Sequence, residues 1–281
     1  MSLMLKLLTI LSLLSLSITN LSAKTLEEQL IKYEKQRVAR NPNVKINSIN
    51  LHFKKDLKHD GWIGYVYNIN VEVKGKKVDA KDTIFSNGSL ITSSLTNLKT
   101  KIDYKRLMYP TLTKKYYDKK FLIAGNSNAK HKMVVFSDPL CPNCINTIPE
   151  LINDAKKYPK QIALYYIHMP LDMHPTAKTL VKASILAHHQ GIKDIDYKVY
   201  TAEFEKDFDA YEEKDEQKVL DLFNKRFKTN FTMKQINSDD IKEELKYNEK
   251  LTDDALVQGT PTVFFDNEID PMRNKYLKYL K

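Results

Sequence analysis

The sequence predicts two units in series: an α+β unit of one helix and a small antiparallel sheet, then an α/β unit interrupted by a helical insertion. Three observations carry this reading. Between Trp62 and Val73 the residues Ile63, Tyr65, Tyr67, Ile69, Val71 and Val73 alternate strictly with other types, the mark of a half-buried antiparallel strand. Further on, a strand-like run Met133 to Phe136, a helical stretch to about Lys157 and a second run Ile162 to Ile167 follow one another. That order is a βαβ unit, with parallel strands and a right-handed crossover. Finally, spacing from Thr176 to about Val257 is helical, and the chain then returns to a strand at Thr262 to Phe265.

Residues 1–23 read as a secretory signal. Lys6 is the only charge ahead of an apolar stretch, Leu7 to Ile18, and the small residues of Leu21-Ser22-Ala23 follow. An uncleaved anchor is the alternative. A spanning helix wants about 20 mostly apolar residues, whereas Thr9, Ser12, Ser15 and Ser17 interrupt this run. The mature chain is expected to begin near Lys24, to be exported and to be soluble.

The first unit is expected over residues 24–97. Leu26, Leu30, Ile31 and Tyr33 give a helix from Thr25 to Arg40, closed by Asn41-Pro42-Asn43 because proline cannot continue it. Strands are expected at Val44 to Phe53, at Trp62 to Val73, and at Thr83 to Phe85. The last continues past Ser86-Asn87-Gly88-Ser89 into Leu90 to Ser93, with Asn-Gly as the hairpin signal. No chemistry is visible here. The unit is either a passive module or a dimerisation domain, since an exposed strand edge supports pairing across a two-fold axis. Residues 98–120, rich in lysine and tyrosine and holding Pro110, read as a partly helical linker, and residues 121–281 as the second unit. Its insertion, about 176–257, carries Leu180, Ala183, Leu186 and Ala187 at helical spacing, then Leu220, Leu222 and Phe223. A helix-like tail from Pro271 to Leu280 closes the chain.

Composition excludes several function classes. The net charge of +10 comes from lysines dispersed among acids and tyrosines, which is a solvated surface and not a nucleic-acid arm. Only 7 glycines are present, with no glycine-rich phosphate loop and no repeat. The two cysteines, Cys141 and Cys144, are more telling. A structural bridge gains most when it closes a long loop, and this pair closes a very short one. Zinc would need two further ligands, and the seven histidines, His131 and His188-His189 among them, offer no second pair at metal-ligand spacing. A redox pair that needs no other cofactor is favoured over a structural bridge or a metal clip, which stay as the alternatives.

The position of the pair supports redox chemistry. Cys141 falls where a strand ends and a helix begins, where free backbone N–H groups and the helix dipole favour an anion. The thiolate is the nucleophile, and a lowered pKa also makes it a better leaving group. Cys141 is therefore the attacking thiolate, and Cys144, one turn later and facing inward, is the resolving thiol. Pro142 suits the first helical position, and Asn143 offers a polar contact without charge.

The segment Phe136-Ser137-Asp138-Pro139-Leu140-Cys141-Pro142-Asn143-Cys144 resembles the active-site segment of the periplasmic DsbC/DsbG proteins, and is most similar to DsbG. A second signature, Gly259-Thr260-Pro261-Thr262, stands just before a strand. The resemblance implies a thioredoxin-fold domain in which Pro261 is the cis-proline beside the cysteines and Thr260 precedes it, both contacting substrate. It also implies a cystatin-like N-terminal dimerisation domain, a V-shaped homodimer and a membrane redox partner of the DsbB or DsbD kind. The expected substrates are exported proteins with cysteines, whose disulfides it would form or isomerise. Alternatives are a DsbG-like reductase of sulfenylated cysteines, or a dimeric holdase with secondary redox activity. Asn143 departs from the tyrosine of DsbC and DsbG and from the histidine of DsbA, so the direction of electron flow stays open. Asp266-Asn267-Glu268 replaces the usual glycine-bearing turn, predicting a short last hairpin. His174 and Asp172 border the site only if their loop folds back; a satisfied loop histidine and a solvated aspartate is the simpler reading.

Overall fold

The computed structural model describes residues 25–280, and the signal-like segment 1–23 lies outside them. The chain divides into two compact units at Met108/Tyr109.

The first unit is a helix on a four-stranded antiparallel sheet. Helix α1, Leu26–Val38, starts with a reciprocal cap in which Glu28 N donates to Thr25 Oγ1 and Thr25 N donates to the Glu28 carboxylate. Strands β1 (Val44–Asp56), β2 (Ile63–Val73), β3 (Lys76–Ser86) and β4 (Ile91–Thr92) lie in that order. The alternation in β2 buries Tyr65, Tyr67, Ile69 and Val71 with Leu30 and Ile49. The third strand starts earlier than its sequence suggests, at Lys76 and not Thr83. A two-residue turn, Lys74 and Gly75 both at positive φ, pairs Val73 with Lys76, so the ladder extends from the turn through a largely polar stretch whose side chains are exposed as far as Ala80. The Asn87-Gly88 turn does return the chain, bringing Ile91 opposite Ser86. Buried Glu34 is held by Arg37 at 2.6 Å, and the same guanidinium reaches Asp82 on β3.

Residues 98–120 contain short 3-10 turns at Tyr104–Leu107 and Lys114–Tyr117, with a third, Lys119–Phe121, at their end. Leu112, Tyr116 and Phe121 are buried in the second unit, where Tyr116 Oη donates to the Leu251 carbonyl at 3.0 Å.

The second unit is built on a five-stranded sheet, β5 (Leu122–Gly125), β6 (His131–Ser137), β7 (Ile162–His168), β8 (Thr262–Phe265) and β9 (Glu268–Ile269), in the order β5-β7-β6-β8-β9. Strands β6 and β7 are parallel, joined by α2 (Pro142–Lys157), and the other pairs are antiparallel. One face packs Met133, Val135, Leu164 and Tyr166 under Ile148, Leu151, Ile152 and Ala155 of α2. The other face packs Val134, Phe136, Tyr165 and Phe264 against Tyr116, Phe121, Leu251 and Val257. Pro149 lies inside α2 and removes one helical hydrogen bond, yet this apolar face keeps the helix on the sheet.

The insertion comprises α3 (Ala177–His189), α4 (Ile195–Tyr200), α5 (Glu216–Phe227), α6 (Met233–Ile236) and α7 (Asp239–Asp254). Helices α3 to α6 share a core of Leu180, Ala183, Val199, Leu220, Phe223 and Ile236. The tail is not the helix its spacing suggests, apart from a 3-10 turn at Leu277–Tyr279. Local bonds capture it first: the Asp270 carboxylate accepts from Lys275 N at 2.8 Å, Lys275 Nζ donates to the Ile269 carbonyl, and Arg273 sits at φ 55. The short last hairpin is present, with Asp266 and Asn267 both at positive φ.

Candidate active site

Strand β6 delivers Ser137 and Asp138 to the C-terminal edge of the sheet, and Pro139-Leu140 turn the chain into α2. Cys141 is the residue before the helix, at φ −71° and ψ 122°, with Pro142 at its first position. Its carbonyl accepts from Cys144 N at 2.9 Å and Ile145 N at 3.0 Å, which opens the helix under the sulfur. Cys144 is fully buried and Cys141 retains 6% exposure, while Pro142 and Asn143 face solvent. The cysteines are present as two free thiols.

The two thiols differ sharply in acidity. Cys141 is lowered from an ordinary 9.0 to about 5, first by a hydrogen bond from the Cys144 thiol, against the opposing effect of its own burial. The Thr260 side chain and the backbone N–H groups of Cys144 and Asn143 add to it. Cys144 is pushed far up, first by burial and then by the Cys141 charge it would face. Helix-start geometry, the cause visible in the sequence, is thus one contributor among several, and the partner thiol is the largest.

The second signature folds back onto the first. The Thr260–Pro261 peptide is cis. The Cys141 sulfur lies 3.5 Å from the Thr260 carbonyl, to which its protonated form donates, across 119 residues of chain. Strand β8 makes this possible by pairing antiparallel to β6, so its start meets the end of β6. Thr262 Oγ1 donates to the Gly259 carbonyl at 2.7 Å and Arg273 reaches the Pro261 carbonyl at 3.4 Å, bracing the loop on both sides. Thr260 Oγ1 is buried and closes no hydrogen bond of normal geometry, although its dipole favours the anion on both sulfurs. All six residues singled out in the sequence, Cys141, Pro142, Asn143, Cys144, Thr260 and Pro261, therefore belong to these two apposed segments.

His174 and Asp172 separate. The Asp172 side chain is 99% exposed. His174 is buried and its Nδ1 lies 3.0 Å from the Asp138 carboxylate, which also accepts from Leu140 N and Leu171 N at 2.6 Å each. Asp138 thus ties the loop carrying Cys141 to the loop after β7. Sequence reasoning gave Asp138 no role, although its place three residues before a reactive cysteine is a usable signal. It also passed over Tyr166 and Tyr200, which join Ser137 behind Cys144 through hydroxyl contacts of 2.6 Å. Nothing in the helical spacing of the insertion marks Tyr200. Among the described residues, no group of three or more His, Cys, Asp or Glu is arranged to hold a metal ion, and no helix is long and apolar enough to cross a membrane.

A protein-family model described as Thioredoxin matches residues 118–278, more than half of the chain. Among solved structures, a candidate protein-disulfide isomerase from Pseudomonas syringae is 13% identical, with a TM-score of 0.50, covering 58% of this chain and 97% of that one. A thiol-disulfide exchange protein of the DsbA kind from Wolbachia pipientis is 21% identical, with a TM-score of 0.43, over 56% of this chain and 81% of its own. ScsC of Proteus mirabilis is 19% identical, with a TM-score of 0.43, over 59% and 72%. At 13% identity the first of these likenesses speaks to the fold alone. No match is found among curated proteins.

Proposed function

Because this chain belongs to the thioredoxin family, we propose that it is a thiol–disulfide oxidoreductase acting through Cys141 and Cys144. The observation that carries the proposal is the split between the two thiols, one lowered to about 5 and one raised by burial, at a helix start that touches the Thr260 carbonyl. At neutral pH the first is a thiolate, ready to attack a disulfide or to leave one. In the reducing direction the Cys141 thiolate attacks a substrate disulfide, forms a mixed disulfide and expels the other substrate thiolate. Cys144 then attacks Cys141, releasing the second substrate sulfur and leaving the pair oxidised. In the oxidising direction the same bonds form and break in reverse. Thr260 and Pro261 would hold the substrate strand beside the sulfur by backbone pairing.

The finer reading places the protein with the DsbC/DsbG kind, forming or isomerising disulfides in exported proteins. Its support is the Phe136 to Cys144 segment, the Thr260-Pro261 signature and the signal-like residues 1–23. On that reading it works in the periplasm as a homodimer through the first unit, and a membrane partner of the DsbB or DsbD kind keeps the pair charged. Stabilising one thiolate favours the reduced pair and so raises its reduction potential, which supports disulfide formation.

Insulin reduction by the full chain tests the proposal. Cys141→Ser should abolish it, and Cys144→Ser should accumulate mixed disulfides visible on non-reducing gels. Undiminished activity in Cys141→Ser would sink it. The steady-state redox form of the pair in cells then separates the directions: a mostly oxidised pair marks an oxidase, a mostly reduced pair an isomerase or reductase.

A further inference from the structure

The resolving step poses a proton problem that the attacking step does not. Cys144 must be an anion when it attacks Cys141, yet it is fully buried and its thiol is held far above the ordinary range by that burial. Ordinary desolvation would leave this step slow.

Behind Cys144 stands a row of three buried hydroxyls. Ser137, the last residue of β6, has a side chain that favours the Cys144 thiolate, and Cys144 shares one buried cluster with Tyr166 and Tyr200. Ser137 Oγ is 2.6 Å from Tyr200 Oη, and Tyr200 Oη is 2.6 Å from Tyr166 Oη. Tyr166 comes from β7, and Tyr200 ends α4 in the insertion, 63 residues from Ser137. Both contacts lie at the short end of the O–H···O range. A hydroxyl has one proton to donate and can accept two. Tyr166 Oη has two acceptors in reach, the Ser137 carbonyl at 3.5 Å and Tyr200 Oη at 2.6 Å. With its proton on the shorter contact, Tyr166 donates to Tyr200 and Tyr200 to Ser137, and the Ser137 proton is free to point at the Cys144 sulfur. Burial holds both tyrosines well above the usual phenol range, so they donate and do not ionise.

The surroundings offer Cys144 little other help. The charges of Asp196 and Asp138 both act against a further anion at Tyr166. Asp196 is itself paired with His188 at 2.7 Å, and His168 sits edge-on to Tyr166 at 4.8 Å. The groups that favour the Cys144 anion are the Ser137 and Thr260 side chains and the Asp138 backbone, while Cys141 opposes it until its sulfur is bonded to substrate.

We propose that Ser137, Tyr200 and Tyr166 are positioning residues for the resolving step, a hydroxyl row that holds negative charge on the Cys144 sulfur as it attacks. The proposal rests on the exchange chemistry given above. In the step it assists, the Cys144–Cys141 S–S bond forms and the Cys141–substrate S–S bond breaks. The two electrons of the broken bond leave with the substrate sulfur, and that sulfur takes up the proton Cys144 has given up. The row adds and removes no atom. Each hydroxyl keeps its proton, and cooperative polarisation along the chain strengthens the last bond.

The test uses the reduced full chain and oxidised glutathione, with rapid quenching to follow the mixed disulfide on Cys141 and the release of its glutathione. Tyr200→Phe removes one hydroxyl from the middle of the row and little else. Loss of the hydrogen bond that polarises Ser137 predicts release about fivefold to tenfold slower at neutral pH, with its pH midpoint displaced upward. Cys141 should still titrate as in the parent chain when followed by thiolate absorbance. Tyr166→Phe, at the far end of the row, should slow release less, and gives a second reading if Tyr200→Phe does not fold. A folded Tyr200→Phe that releases glutathione at the parent rate across the pH range would overturn the proposal. So would a displaced Cys141 titration that accounts for the whole effect. A parent chain that forms no mixed disulfide would instead remove the exchange chemistry itself, and the row's role with it.

Discussion

Replacing Cys144 by alanine should raise the pKa of Cys141, and the size of the rise follows from the site. The largest contribution to the low value of about 5 is the hydrogen bond from the Cys144 thiol. Alanine removes that donor and keeps the backbone N–H groups of residues 143 and 144 and the Thr260 side chain. A hydrogen bond to a charged group contributes about 1.5–3 kcal/mol, and each 1.36 kcal/mol moves a pKa by one. Cys141 in Cys144→Ala should therefore titrate at about 6–7, followed as thiolate absorbance near the ultraviolet edge or as the pH dependence of alkylation. The sign for stability follows from the same value. Cys141 is an acid whose folded pKa is depressed, so its stabilisation is fully present above 9.0 and is lost as pH falls through about 5. At pH 7 it would be about 3 kcal/mol in a fully shielded site, and solvent screening at the partly open mouth cuts this to about 1–2 kcal/mol. The reduced chain should thus lose stability between pH 9 and pH 5 in urea melts, while the oxidised chain lacks this dependence. A parent Cys141 titrating near 8.5, or an unchanged value in Cys144→Ala, would refute the argument.

Two further substitutions probe the scaffold of the site. Asp138→Ala strands Leu140 N, Leu171 N and His174 Nδ1 in the interior, and urea melts should show a loss of about 3–5 kcal/mol; a loss under about 1 kcal/mol would contradict the assigned bonds. Gly125→Ala places a Cβ 2.0 Å from the Ile162 carbonyl oxygen at φ +80°, so β5 should detach from β7 and its amides lose hydrogen-exchange protection. Retained protection there would refute this steric reading.

The fold was legible wherever burial imposes a period. Strict alternation in β2, the apolar runs of β6 and β7, and the helical spacing of α2 and α3 all report a face turned inward. The first half of β3 was not legible, because it is held by a two-residue turn and by pairing to β2 with its side chains in water. The tail misled for a related reason: its helical spacing is real, but the Asp270 bonds to residues 273 and 275 offer the backbone other partners. At the site, Cys141 and Cys144 and the Thr260-Pro261 pair were legible as two short signatures. Asp138 left a signal only in its place three residues before Cys141, and Tyr166 and Tyr200 left none, because a buried tyrosine hydroxyl looks in sequence like any core aromatic.

Strand β8 carries Thr260 to Cys141 only after the whole insertion has been traversed, 119 residues along. Chains are synthesised from the N-terminus, and contacts of such separation form late. A nascent chain therefore displays Cys141 and Cys144 well before the segment that completes their surroundings exists. During that interval Cys141 lacks the Thr260 contribution, and Cys144 lacks Tyr200 until α4 has emerged. Until β8 docks, the pair thus lacks one of the groups that favour its thiolate, while the larger contribution to Cys141, from Cys144, lies only three residues away.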